Sequence, residues 1–206
     1  MTLYCATTNP GKLREFRLAA ERLGGGRFQI VPLPDLGSID PPEETGQTFE
    51  ENAIQKALYY SVRAPGPLFA DDSGLEVDAL GGAPGVLSAR FAGPGATDED
   101  NNRLVLERLG PSDRRSGRFV CSIALAEKGR PMQTFRGVVE GLILDAPRGP
   151  NGFGYDPLFY YPPFGCSFGE VSGDRKLTVS HRGRALAAMM EWVGAVVDGG
   201  WLRVDG

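Results

Sequence analysis

The chain has little histidine, cysteine or lysine, and no long hydrophobic run. Its one histidine, His181, and its three cysteines, Cys5, Cys121 and Cys166, form no CxxC pair and no ligand spacing. A Cys/His metal centre needs three or four such ligands close together, so the sequence argues against one. Three widely spaced cysteines give no disulfide framework and read as reduced, mostly buried thiols. Apolar stretches such as Val120–Ala126 fall far short of the ~20 residues a membrane span needs. The opening MTLYCATTNPGK has no basic segment followed by an apolar core, so no signal peptide is expected and a cytoplasmic location is. Excess positive charge is missing too. A net charge of −4 lacks the basic footprint of a non-specific nucleic-acid binder. A small anionic substrate stays open, provided that local cations or a metal neutralise it.

What is present is ordinary for a globular protein: 206 residues, 41% of them hydrophobic and 23% charged, enough for a single domain spanning 1–206 with a real core. Of the 22 cationic side chains only Lys12, Lys56, Lys128 and Lys176 are lysines. Where arginine is the default cation, a lysine can mark a place that needs a compact, strongly hydrated charge, although base composition accounts for the bias equally well.

Local signals divide the chain into alternating strands and helices. Leu3–Thr7 reads as a strand, followed by a helix with Asn9 as N-cap and Pro10 in its first turn, ended by Gly24-Gly25-Gly26. Phe28–Leu33 reads as a second strand, and an acidic, Pro-rich loop runs to Gly46. Thr48 to Glu51 fits a capping box that opens a second helix, and Leu68-Phe69-Ala70 is a short buried strand running into Asp71-Asp72-Ser73-Gly74. Thr97 to Asp100 caps a third helix. Phe119–Leu125, Met132–Val139 and Gly141–Leu144 follow as strands, and a last helix starts near Ser180. This order predicts an α/β fold on a mixed sheet.

Four segments carry chemistry. The turn Thr7-Thr8-Asn9-Pro10-Gly11-Lys12 delivers a strand to a helix N-terminus, where free N–H groups and the helix dipole suit phosphate. Lys12 is misplaced there unless an anion sits nearby; an ordinary capped helix with an exposed lysine explains the same residues. Asp71 and Asp72 leave an apolar strand where α/β sheets place ligands, with side chains to opposite sides, although a turn-forming aspartate explains them equally well. Such carboxylates suit Mg²⁺, and one of them could orient or deprotonate a water. Glu50 and Glu51 read as helix-capping acids. Lys176 precedes Ser180-His181-Arg182, where His181 and Arg182 fall in a helix first turn, unfavourable for cations without an anionic or hydrogen-bonding partner; a surface histidine and a solvated arginine explain the same residues. The segment Gly152-Phe153-Gly154-Tyr155-Asp156 sets an aromatic ring between two glycines, free to stack on a planar ligand or to anchor the core.

Jointly, the stretches ATTNPGKLREF, PEETGQTFEENAIQKA, ADDSGLEVDALGGAPGVLSARFAG, NGFGYDPLF and SHRGRAL resemble the inosine triphosphate pyrophosphatases, in family order from Ala6 to Leu186. The resemblance implies an elongated mixed β-sheet flanked by helices, two lobes around a central nucleotide cleft, and a homodimer. It implies Mg²⁺-dependent hydrolysis of ITP, dITP and XTP to monophosphate and pyrophosphate. It further implies that Thr7, Thr8, Asn9, Pro10, Gly11 and Lys12 hold the triphosphate, and that Asp72 is proton acceptor and metal ligand with Glu43 or Glu44. Lys12 then stabilises the departing charge, Ser73 touches substrate, and Phe153, Gly154, Tyr155, Asp156, Lys176, His181 and Arg182 form the base and phosphate pocket. Thr8 and Pro10 stand where many members have glycine and another small residue. A pyrophosphatase for modified pyrimidine nucleotides and a non-catalytic nucleotide sensor are the rival readings.

Overall fold

The computed structural model describes residues 1–199. The last seven residues of the expected 1–206 domain lie outside the described residues. The strands are β1 (Thr2–Cys5), β2 (Gln29–Pro32), β3 (Leu68–Val77), β4 (Ser116–Glu127), β5 (Arg130–Ile143), β6 (Phe159–Tyr161) and β7 (Cys166–Ser167). The helices are α1 (Pro10–Leu23), α2 (Phe49–Ser61), α3 (Asp98–Leu109), the short α4 (Gly173–Leu177) and α5 (His181–Asp198). All strands join one mixed sheet in the order β2-β1-β3-β4-β5-β6-β7, parallel among the first three and antiparallel thereafter. The expected α/β class and mixed sheet flanked by helices hold.

The helix starts are where local chemistry puts them. Asn9 accepts a hydrogen bond from the Lys12 N–H, Thr48 and Glu51 form a reciprocal capping box, Thr97 and Asp100 form another, and Ser180 caps α5 through the Gly183 N–H. Each satisfies N–H groups that a helix leaves free.

The main departure is β3. It does not stop at Ala70 but runs ten residues through Asp71, Asp72, Ser73 and Gly74, paired with β4 from Leu68↔Ala126 to Val77↔Gly117. Long-range backbone pairing here overrides the turn propensity of an Asp-Asp-Ser-Gly run. Likewise β5 is one strand, not two, and β6, β7 and α4 were not foreseen.

Two large cores form along this sheet. One gathers Leu3, Phe16, Phe69, Ile123, Leu186 and Met189; the other gathers Leu75, Val105, Phe119, Leu158, Phe159 and Phe168. Phe69 and Leu75 belong to different cores, so the polar stretch of β3 lies between the two. Phe119 of the second core stacks on His181 at the start of α5, ring centroids 4.7 Å apart.

Helix α5 reaches the sheet through Gly137 of β5, where a Cβ would lie 2.0 Å from the His181 carbonyl oxygen and 2.7 Å from the Ala185 nitrogen. Both are backbone atoms of the helix start, so neither can swing aside. Gly137→Ala should therefore destabilise the protein by about 1–3 kcal/mol, lowering Tm by roughly 2–4 °C per kcal/mol. A thermal melt indistinguishable from wild type would contradict this packing.

Candidate active site

Between the two cores lies a cleft lined by Lys12 from α1, Glu44 from the loop before α2, Lys56 from α2 and Asp72, Ser73 and Gly74 from β3. The other wall comprises Ser88, Arg90, Asp98, Phe153–Asp156, Lys176, His181 and Arg182. Three of the four lysines line it; Lys128 sits in the β4–β5 turn with φ 49°.

Side-chain alternation sends the two aspartates of β3 to different partners. Asp71 is buried and pairs with Lys12 at 2.9 Å, with the Arg182 Nε 3.8 Å away. Burial pushes its carboxyl up, but Lys12, Arg182 and Lys56 together outweigh that and hold it at about 2. Asp72 pairs with Lys56 at 2.9 Å and accepts a hydrogen bond from the Asn52 amide at 3.2 Å. Here burial wins over the lowering effect of Lys56, and the carboxyl lies above the usual aspartate range.

Lys56 also meets Glu44 at 3.1 Å, so Glu44 and Asp72 converge on one cationic point. Glu44, though pushed up by burial, is held below the ordinary range by Lys56 and Arg90. Glu43 is exposed and outside the cleft lining. No cluster of three or more acidic, histidine or cysteine ligands forms among the described residues. Two carboxylates around a position now held by an ammonium group fit a cation such as Mg²⁺, which keeps waters and takes substrate oxygens.

At the other end, Glu15 of α1 bonds both Lys176, at 2.7 Å, and Arg182. Lys176 also pairs with Asp156 at 2.6 Å, and Arg182 donates to the Ser73 hydroxyl at 2.8 Å. Glu15 is thus the anion that Arg182, in the first turn of α5, lacked in the sequence; His181 beside it has no such partner. Phe153 lies against Gly11, where a Cβ would come 2.6 Å from its ring, and within 5.0 Å of Lys176 Nζ and 5.4 Å of the Arg182 guanidinium carbon.

The fold therefore brings together Asn9, Lys12, Glu44, Asp72, Ser73, Phe153, Gly154, Tyr155, Asp156, Lys176, His181 and Arg182. Thr7, Thr8, Pro10, Gly11 and Glu43 lie outside that lining, although Gly11 backs the Phe153 ring. The sequence reading missed Glu15, Asn52, Arg90 and the site role of Lys56. For Lys56 a signal existed in the scarcity of lysine; for Glu15, one turn into a charged helix, there was none.

The Ham1 family profile matches residues 3–192. The chain belongs to the Ham1 family. It is 49% identical over 199 residues to a dITP/XTP pyrophosphatase of Acidobacterium capsulatum, covering 92% of this chain and 97% of that protein. It is 50% identical over 201 residues to one of Syntrophobacter fumaroxidans, covering 98% and 84%. Among solved structures, a HAM1 protein from Coxiella burnetii superposes with a TM-score of 0.82 at 40% identity, covering 95% of this chain and 99% of that one. The resemblance read from the sequence, and the fold class it implied, are borne out by these matches.

His181 is the chain's one histidine, and its Nδ1 is buried without a hydrogen-bond partner. Burial first, then the charges of Arg182, Lys176 and Lys12, hold its imidazole well below the ordinary value. The unfolded chain takes up a proton near pH ~6.5 that the folded chain refuses, so this contribution to stability is whole above that pH and lost as pH falls. In nucleotide-free protein, stability should drop between about pH 6.5 and 5 by up to ~1.4 kcal/mol per unit. His181→Gln should flatten that slope. A wild-type Tm that is level across this window, or a glutamine variant with the same slope, would refute the assignment.

Proposed function

We propose that the chain hydrolyses nucleoside triphosphates of deaminated purines, ITP, dITP and XTP, to the monophosphate and pyrophosphate. The names of its relatives support the substrate class. The observation that carries the mechanism is the meeting of Asp72, Glu44 and Lys56 in one cleft with Asn9 and Lys12 from the start of α1, carboxylates and cations suited to attack at a phosphorus.

Asp72 is the proton acceptor. Its carboxyl is held by Lys56 and Asn52 at fixed geometry, and its raised affinity for a proton suits it to take one from an attacking water. Lys12, in the first turn of α1, and the free N–H groups of that turn stabilise negative charge on the departing pyrophosphate. Glu44 and Asp72 are the residues that would hold Mg²⁺, which when bound supplies charge neutralisation and a fixed orientation for phosphate oxygens. Charge matching supports that need. The five cations of the cleft, Lys12, Lys56, Arg90, Lys176 and Arg182, are already paired with five carboxylates, Asp71, Asp72, Glu44, Glu15 and Asp156. A triphosphate arriving there meets no unpaired lysine or arginine among these five, so its charge must be met by added cation or by displacing their carboxylate partners.

Lys176 and Arg182 beside the Phe153 ring offer only donors, which favours the keto oxygen at the 6-position of hypoxanthine or xanthine over the amino group of adenine. An unmet donor at such a buried site rejects the wrong base. Thr7, Thr8, Pro10 and Gly11 complete the triphosphate-binding turn in this proposal, and His181 the base pocket. A homodimer and a cytoplasmic location belong to the same proposal. The free thiols Cys5, Cys121 and Cys166 agree with a reducing compartment, and no described helix is long and apolar enough to cross a membrane.

Purified protein given ITP, XTP, dITP, GTP, ATP and a modified UTP, with Mg²⁺ and with EDTA, should release pyrophosphate and IMP from ITP, weakly act on ATP, and stop with EDTA. Orthophosphate release would move the attack to the terminal phosphorus. Binding of ITP without turnover would make the chain a sensor, and preference for the modified UTP would make it a pyrimidine enzyme. Asp72→Asn should lower kcat by at least ~10²-fold, the range for loss of a general base; near-normal turnover would exclude Asp72 from that role.

A further inference from the structure

We propose that Asp98 and Asn102 of α3 are positioning residues that grip the backbone of Gly154 and so fix the Phe153 ring in the nucleobase slot. The inference deepens the reading above and rests on its assignment of the Phe153–Asp156 segment to base recognition.

Gly154 has φ +62° and no side chain, so the rest of the protein can hold it only by its N–H and its carbonyl. Both are taken by the same helix. The Gly154 N–H donates to the Asp98 carboxylate at 2.6 Å, and the Asn102 amide donates to the Gly154 carbonyl at 2.9 Å. Residues four apart share one face of a helix, which is why two side chains can hold the two peptide groups that flank one Cα. The bond to Asp98 is charge-assisted, the stronger kind.

Helix α3 is a firm base for such a grip. Its start is locked by the Thr97–Asp100 capping box, and Val105 and Leu109 are buried in the second core. Asn101, next to Asn102, holds another part of the cleft wall: its amide accepts from the Ala92 N–H at 2.8 Å and donates to the Ala89 carbonyl at 3.3 Å. The Tyr155 hydroxyl then donates to the Ser88 carbonyl at 2.8 Å, tying the aromatic segment to that same wall.

Phe153 stands between two left-handed glycines, Gly152 (φ +78°) and Gly154, so its neighbours impose little on its ring. Its own N–H is held by Asp156 at 2.9 Å. The Gly154 grip supplies the second fixed point, from α3 and not from within the loop. With both in place the ring stays over Lys176 and Arg182. Without the grip, the residue next to Phe153 loses its tie to α3, and the slot loses its defined height before any catalytic group is disturbed.

Asp98 is exposed, so its substitution should leave the fold intact. Asp98→Ala removes the acceptor; Asp98→Asn removes the charge but keeps an oxygen that can accept. In nucleotide-free protein the Gly154 amide should be protected from hydrogen exchange in wild type and Asp98→Asn and exposed in Asp98→Ala. Equal protection in all three would overturn the grip. In kinetics, Asp98→Ala should raise KM for ITP about tenfold, the worth of a charged hydrogen bond, with kcat within about twofold and a narrowed ITP-over-ATP preference. Asp98→Asn should restore most of both. An alanine variant with unaltered KM and preference overturns the positioning role, as does an asparagine variant as impaired as alanine. Failure of the wild type to release pyrophosphate from ITP would instead overturn the proposed activity, and the exchange experiment would still decide the grip.

Discussion

Two adjacent carboxylates buried in the middle of a β-strand set the terms for the rest of this molecule. Charges taken out of water cost several kcal/mol each unless partners meet them at close range. The pleat of β3 turns Asp71 toward Lys12 and Arg182 and Asp72 toward Lys56 and Asn52, so the partners must arrive from opposite faces of the sheet. Helices α1 and α5 supply one set and α2 the other. The positions of three helices are thus tied to one dipeptide, and the cleft opens where the sheet passes from one core to the other.

The same two residues show how neighbours of identical chemistry diverge. Both are buried, and burial alone would favour the protonated form of each. Three cations surpass that effect at Asp71 and leave it a fixed anion; at Asp72, Lys56 and Lys12 do not. The first behaves as a structural counter-charge for Lys12 and Arg182. The second keeps an affinity for a proton, which is what a base beside a phosphate needs.

Much of this was legible in the chain because it is local. Caps at Asn9, Thr48, Thr97 and Ser180 depend on residues two or three positions apart, and the structure has them all. The reading of a cation in a helix first turn as a sign of an unseen anion holds for Arg182 of α5 and for Lys12 of α1, and not for His181, which is buried neutral. In both places the anion in the folded chain is a carboxylate of the protein itself, Glu15 or Asp71. The continuation of β3 was illegible for the opposite reason: Asp-Asp-Ser-Gly has the composition of a turn, and only pairing with residues some fifty positions later along β4 keeps it extended. Glu15, Asn52 and Arg90 were likewise invisible, since nothing in a helix or loop sequence distinguishes a solvated polar side chain from one that the fold turns inward.

The ion pairs of the cleft join Glu15, Asp71, Asp156, Lys176 and Arg182, residues spread over α1, β3, the loop before β6, α4 and α5. A substitution at any one strands a buried charge on another element. A single substitution there therefore needs a second one on another element to restore charge balance, so the network sets the spacing of five elements as one unit.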